Sequence, residues 1–132
     1  MNKKGTMYED GIISKKRGII RVLNAAKYSW HGFKFMLKEE AFRQELTLTI
    51  VLVPVAFLLE ILPVIKLLLI ISLLLVMIVE VLNTALETVV NIVSPEFNHY
   101  AKMAKDLGSF AVLIALVVAA LVWGYGFYLN FA

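Results

Sequence analysis

The chain has 132 residues, 61% of them hydrophobic, and a mean hydropathy of +0.82, against the roughly 45–50% apolar content of a soluble domain. That excess leaves too little polar surface for a water-soluble fold. The net charge is only +3, so no nucleic acid is expected as a partner, and the absence of cysteine excludes disulfides, thiolate metal sites and a cysteine nucleophile.

Residues 1–14 are polar and without periodicity, and read as a flexible tail. No apolar stretch precedes the Lys15-Lys16-Arg17 run, so no cleavable signal peptide is expected. Over residues 15–40 the apolar side chains fall at Ile19, Leu23, Ala26, Trp30, Phe33 and Leu37, in alternating steps of four and three, with Lys27, Lys34 and Lys38 on another face. This is the pattern of an amphipathic helix. A basic helix with a tryptophan on its apolar side suits the headgroup layer of a membrane.

Three apolar stretches follow, and a helix crossing the hydrocarbon core needs about 20 such residues. The spans predicted are 45–65, which must include Pro54 and Glu60, then 67–93 and 106–129, with a loop over 94–105 opened by Ser94-Pro95. The chain is thus expected to be one all-α membrane domain: an interfacial helix and three transmembrane helices. Ten of its thirteen Lys and Arg precede residue 44, one (Lys66) separates spans one and two, and Lys102 and Lys105 lie between spans two and three. By the positive-inside rule the N-terminus and the second loop face the cytoplasm, leaving the C-terminus outside.

The second span carries the chemistry. A helix of Leu, Ile, Val and Met has no structural need for acids, yet this one holds Glu80, Asn83 and Glu87, with Asn91 beyond. At about 100° per residue these lie within one stripe: Asn83 about 300° from Glu80, Glu87 about −20° and Asn91 about +20°. Asn83 and Thr84 alone could merely join helices by hydrogen bonds. Two Glu on the same stripe repel each other unless a cation or a proton separates them, and intramembrane acids mark function. Further acids crowd the junctions: Glu39, Glu40, Glu45, Glu96 and Asp106. Carboxylates meeting from two helices suit Mg²⁺, which takes one or two of them plus phosphate oxygens. Arg21, Lys102 and Lys105 supply positive charge for a polyphosphate. There is no Walker loop, no G-x-G-x-x-G, no D-F-G and no C-x-x-C. His31 and His99 stand singly and read as interfacial or surface residues.

From about Arg21 to Trp123 the chain resembles the prokaryotic diacylglycerol kinase family. The resemblance rests on Ala25-Ala26-Lys27-Tyr28-Ser29-Trp30, on Glu39 with Ala41-Phe42-Arg43-Gln44-Glu45, on Val79-Glu80-Val81-Leu82-Asn83-Thr84-Ala85-Leu86-Glu87, and on Ala104-Lys105-Asp106-Leu107-Gly108-Ser109. It implies a homotrimer in the bacterial inner membrane whose active sites are shared between subunits. It also implies transfer of the ATP γ-phosphate to the primary hydroxyl of diacylglycerol, giving phosphatidic acid, with Mg²⁺ as cofactor.

Carried onto matching positions, the resemblance implies Glu80 as general base and Glu39 and Glu87 as metal ligands. It implies Arg21, Tyr28, Asn83, Glu96, Asn98, Lys105 and Asp106 as nucleotide or phosphate contacts, and Ser29, Trp30, Arg43, Gln44, Glu45 and Ser109 as the lipid side. The chain departs from the family pattern at Asn91, where an acid is expected, at Phe97-Asn98 in place of a Tyr-His pair, and in a Trp30-to-Phe42 interval one residue short. Three other readings remain open at this stage: the same reaction on undecaprenol, a cation channel or transporter subunit using the same Glu stripe, and an assembly protein whose stripe only joins helices.

Overall fold

A computed structural model describes the backbone of residues 6–132 and the side chains of residues 18–132. It contains four helices among the described residues: α1 (Thr6–Met36), α2 (Glu40–Leu58), α3 (Pro63–Val93) and α4 (His99–Phe131). Two compact units divide the chain, residues 1–38 and residues 39–132.

The first unit is α1. It begins at Thr6, so residues 6–14, expected as tail, are helical, and it stops at Met36 rather than at residue 40. The first five residues of the expected tail, and the side chains of the Lys15-Lys16-Arg17 run, lie outside the described residues. The apolar positions Ile19, Leu23, Trp30, Phe33 and Leu37 are all exposed in the monomer. Trp30 stacks on Phe33, with the Lys34 ammonium 5.5 Å over the indole. A ring covered by a cation at one face is suited to a layer that is apolar on one side and wet on the other.

The second unit is a bundle of α2, α3 and α4, each long and apolar enough to cross a membrane. Span one therefore ends at Leu58, not residue 65, and span two begins at Pro63, not residue 67. The reason is Pro63: its fixed φ and missing N–H suit the first position of a helix, so it opens α3 although it falls within the span 45–65 expected from the sequence. Pro54 sits inside α2 and has no N–H to offer the preceding turn. The exit of α2 is closed by Lys66, whose Nζ donates to the Phe57 carbonyl at 2.9 Å. Across the same end, the Glu60 N–H donates to Asn130 Oδ1 at 2.7 Å, tying the α2–α3 connection to the last turn of α4.

At the other end Pro95 disfavours a helical residue before it, and Ser94 leaves the α region at φ −133°, ψ 75°. The loop is much shorter than the expected 94–105, because Asn98 caps α4 at once: its Oδ1 accepts from the N–H of Tyr100 at 2.8 Å and of Ala101 at 3.4 Å.

α3 packs most extensively on α4 and less on α2. The buried residues of α4 are Gly108, Ala115, Ala119, Trp123 and Gly126, all small but one. Those of α3 are Leu69, Ser72, Leu73, Val76 and Glu80. Large side chains on one helix thus enter a groove of small ones on the other, which lets the backbones approach closely where lipid offers no hydrophobic drive to associate. Leu69 is the pivot: a Cβ on Gly126 would lie 2.9 Å from Leu69 Cδ2. The Leu69 carbonyl accepts from Trp123 Nε1 at 3.2 Å and from Ser72 Oγ at 2.7 Å. Ala56, Leu59, Leu69, Leu73 and Trp123 make one core cluster across all three helices.

Candidate active site on the polar end of α3

The buried face of α3 does not stop at Val76. It continues through Glu80, which is buried, and through Asn83, Thr84 and Glu87, which are half-buried. The spacing 69, 73, 76, 80, 83, 87 is one helical stripe, apolar at one end and polar at the other. Asn91, aligned with it by wheel arithmetic, is exposed and lines a different feature.

Position along the helix sets depth. At 1.5 Å per residue, α3 is about 46 Å long, and a hydrocarbon core about 30 Å thick covers only part of it. With the core starting at Pro63, Glu80 lies about 26 Å along, just inside the far boundary, and Glu87 about 36 Å along, beyond it.

Carboxylates gather at that level. Glu80 is within electrostatic range of Glu87 and Glu39, and Glu45 within range of Glu80. Glu39 is the N-cap of α2, and Glu45 faces inward from its first turns with a buried Oε2 that has no hydrogen-bond partner. Among the described residues no three acids or histidines come close enough to hold a metal by themselves. Such a cluster nevertheless fits Mg²⁺, which is held by one or two carboxylates with substrate phosphates completing the shell, and mutually repelling acids are relieved by a cation.

Asn83 Oδ1 is likewise buried without a partner. It lies against Gly108 of α4, where an added Cβ would be 2.2 Å from it. Gly108 adjoins the candidate site and was not singled out by sequence reasoning. It stands inside a quoted string, but only a close approach of two backbones gives a helical glycine meaning.

Around the α3–α4 connection a cleft of about 230 Å³ is lined by Asn91, Ser94, Glu96, Asn98, Lys102 and Lys105, among others. It brings together three of the expected nucleotide contacts, Glu96, Asn98 and Lys105. Asn98 uses its Oδ1 in the helix cap, and Asp106, paired with Lys102 one turn away, is not among the residues lining the cleft. Lys102, which the sequence singled out for its charge but not as a contact residue, lines the cleft.

On the outer face of α2, Glu40, Arg43, Gln44, Thr47, Leu48 and Val51 line an open groove of about 530 Å³. It is polar at Arg43 and Gln44 and apolar at Leu48 and Val51. Ser109 on α4 is exposed. The expected residues of the first unit, Arg21, Tyr28, Ser29 and Trp30, are all exposed on α1.

Comparison with known proteins shows which family the chain belongs to. The model of prokaryotic diacylglycerol kinase matches residues 27–127. The chain is 44% identical over 107 residues to the diacylglycerol kinase of Escherichia coli strain K12, covering 80% of this chain and 88% of that one. It is 46% identical over 107 residues to that of Pseudomonas aeruginosa (80% and 87%) and 42% over 111 residues to that of Haemophilus influenzae (83% and 94%). The chain belongs to the prokaryotic diacylglycerol kinase family. As a member of that family it is an ATP-dependent lipid kinase, and its three apolar helices are those of a membrane protein. The match spans α2 and α3 whole and nearly all of α4, so it contains every carboxylate of the polar stripe.

Proposed function

We propose that the polar end of α3 is where the γ-phosphate of ATP passes to the primary hydroxyl of diacylglycerol. The observation that carries this reading is the buried carboxylate of Glu80 on a helix long enough to cross a membrane, on a face that continues through the half-buried Asn83 and Glu87; with a hydrocarbon core about 30 Å thick starting at Pro63, it lies just inside the far boundary. A diacylglycerol hydroxyl resides at that level, with its acyl chains in lipid.

Phosphoryl transfer asks little covalent chemistry of a protein beyond alignment and charge neutralisation. The lipid oxygen forms a bond to the γ-phosphorus, the bond from that phosphorus to the bridging oxygen breaks, and ADP leaves. Glu80 takes the proton of the attacking hydroxyl. Glu39 and Glu87 would hold Mg²⁺ together with phosphate oxygens, and the ion supplies neutralisation of polyphosphate charge. Lys105 and Glu96 line the cleft beside the exit of α3 and, with Arg21, Tyr28, Asn83, Asn98 and Asp106, serve the nucleotide. The α2 groove suits an amphiphile, its Arg43-Gln44 end for the glycerol and its Leu48-Val51 end for an acyl chain, with Glu45, Ser29, Trp30 and Ser109 completing the lipid side.

The excess of basic residues before position 44 supports an N-terminus and α3–α4 loop in the cytoplasm, where ATP is, and a C-terminus in the periplasm. The many large apolar residues left exposed on α2, α3 and α4 accommodate both lipid and neighbouring subunits of a homotrimer.

The test is phosphorylation of dioleoylglycerol and, in parallel, undecaprenol in mixed micelles with Mg²⁺-ATP, comparing wild type with Glu80→Gln. Turnover of dioleoylglycerol that collapses in the variant is the expected result. Preference for undecaprenol moves the acceptor; turnover that survives in Glu80→Gln removes the base.

A further inference from the structure

The orphaned oxygen of Asn83 and the bare backbone of Gly108 are one feature. Asn83 sits on the stripe between Glu80 and Glu87, and its Oδ1 is buried with no hydrogen-bond partner. Such an acceptor is costly to leave unmet, and a side-chain amide normally rotates to find a partner. Here the amide lies against α4. The amide occupies the recess that the missing side chain of Gly108 leaves, so close that a Cβ there would be 2.2 Å from Oδ1 and 3.3 Å from Cγ. Leu86 Cδ2, at 3.3 Å from the same point, closes another side of the recess. Gly108 itself has ordinary helical geometry, with no positive φ, so the backbone does not demand a glycine. The space does.

We infer that Gly108 is a positioning residue for the transfer reaction: its lack of a side chain leaves the room that the Asn83 amide needs to sit between the two acids, with a buried acceptor open to a hydroxyl, amine or water brought by the bound substrates. The inference rests on the reading of the α3 stripe as the transfer site. A methyl group at position 108 must push the amide along the stripe, and a displacement of about 1 Å in such a site costs on the order of 100-fold in rate. The glycine touches no reacting atom and acts only through Asn83.

The experiment is a double-mutant cycle on the intact protein in mixed micelles, reading kcat, KM for dioleoylglycerol and thermal unfolding for wild type, Gly108→Ala, Asn83→Ala and the double variant. Gly108→Ala is expected to lower kcat by about 10- to 100-fold with little change in KM. The double variant is expected to be no slower than Asn83→Ala alone, because with the amide gone the methyl group has nothing to displace. Losses that multiply, or a Gly108→Ala enzyme with full kcat, overturn the inference. If Gly108→Ala does not fold, recovery of folding in the double variant supports the shared recess, and failure of both overturns it. Glu80→Gln run beside the cycle separates the two ideas: an inactive Glu80→Gln with a fully active Gly108→Ala sinks only the positioning role, whereas an active Glu80→Gln sinks the site itself.

Discussion

The two ends of the α3 stripe use the same helical spacing for opposite purposes. At the Leu69 end, large side chains fill a groove of small ones, the one buried indole N–H is paired, and the Leu69 carbonyl takes two side-chain donors. At the Glu80 end, the same face meets acids of α2 within electrostatic range, and two buried oxygens, Asn83 Oδ1 on α3 and Glu45 Oε2 on α2, have no partners. Fully satisfied packing stabilises, while unmet polar groups in a dry site are costly to fold and useful to a ligand that meets them. On the proposed function, stability belongs to one half of the helix pair and chemistry to the other.

The division breaks first, and most visibly, at Glu80. Replacing it by Gln should lower kcat by about 10²–10⁴-fold, the usual contribution of a positioned base, without lowering the unfolding temperature in detergent; substantial residual turnover in an ADP-release assay would end the assignment. Leu69→Ala should do the reverse. Its cost belongs at the lower end of about 2–5 kcal/mol, since hydrocarbon rather than water competes for the exposed surface; unfolding measures it, and kcat per folded molecule should hold. Asn98→Ala removes the cap of α4 and should cost about 1 kcal/mol, with a raised KM for ATP because the cleft loses its shape. The smallest effect sharpens the picture most. Lys102 and Asp106 are 59% and 62% exposed, so Lys102→Met should alter stability by less than about 1 kcal/mol, and any rise in KM for ATP then reports a phosphate contact.

Much of this was legible in the amino-acid sequence, and the exceptions have physical causes. The spans and the Glu80-Asn83-Glu87 stripe follow from hydrophobic run length and a 3.6-residue period, which tertiary structure does not alter. Asn91 obeys the same wheel yet is exposed, because the wheel gives direction and not how far a partner helix reaches. The boundaries at 58, 63 and 99 were displaced by Pro63 acting as a helix opener and by Asn98 acting as a cap. Gly108 and the orphaned oxygens of Glu45 and Asn83 exist only where two helices meet, and no local pattern announces them. The acids themselves could be found from sequence, whereas the burial of Glu80 among them required the fold.

The 19-residue length of α2 beside the 31 residues of α3 has a consequence for where the protein can work. At 1.5 Å per residue α2 spans about 28 Å, close to the thickness of a bilayer's hydrocarbon layer; its C-terminal end is tied to the start of α3 by the Lys66–Phe57 hydrogen bond, and the α2–α3 connection to the last turn of α4 by the Glu60–Asn130 bond. Pinned there, the molecule is a ruler laid across the membrane with Glu80 as its mark. On the proposed reading of Glu80, longer acyl chains would draw that mark beneath the surface and shorter ones lift it into the headgroups, so lipid thickness would set how readily a hydroxyl meets it.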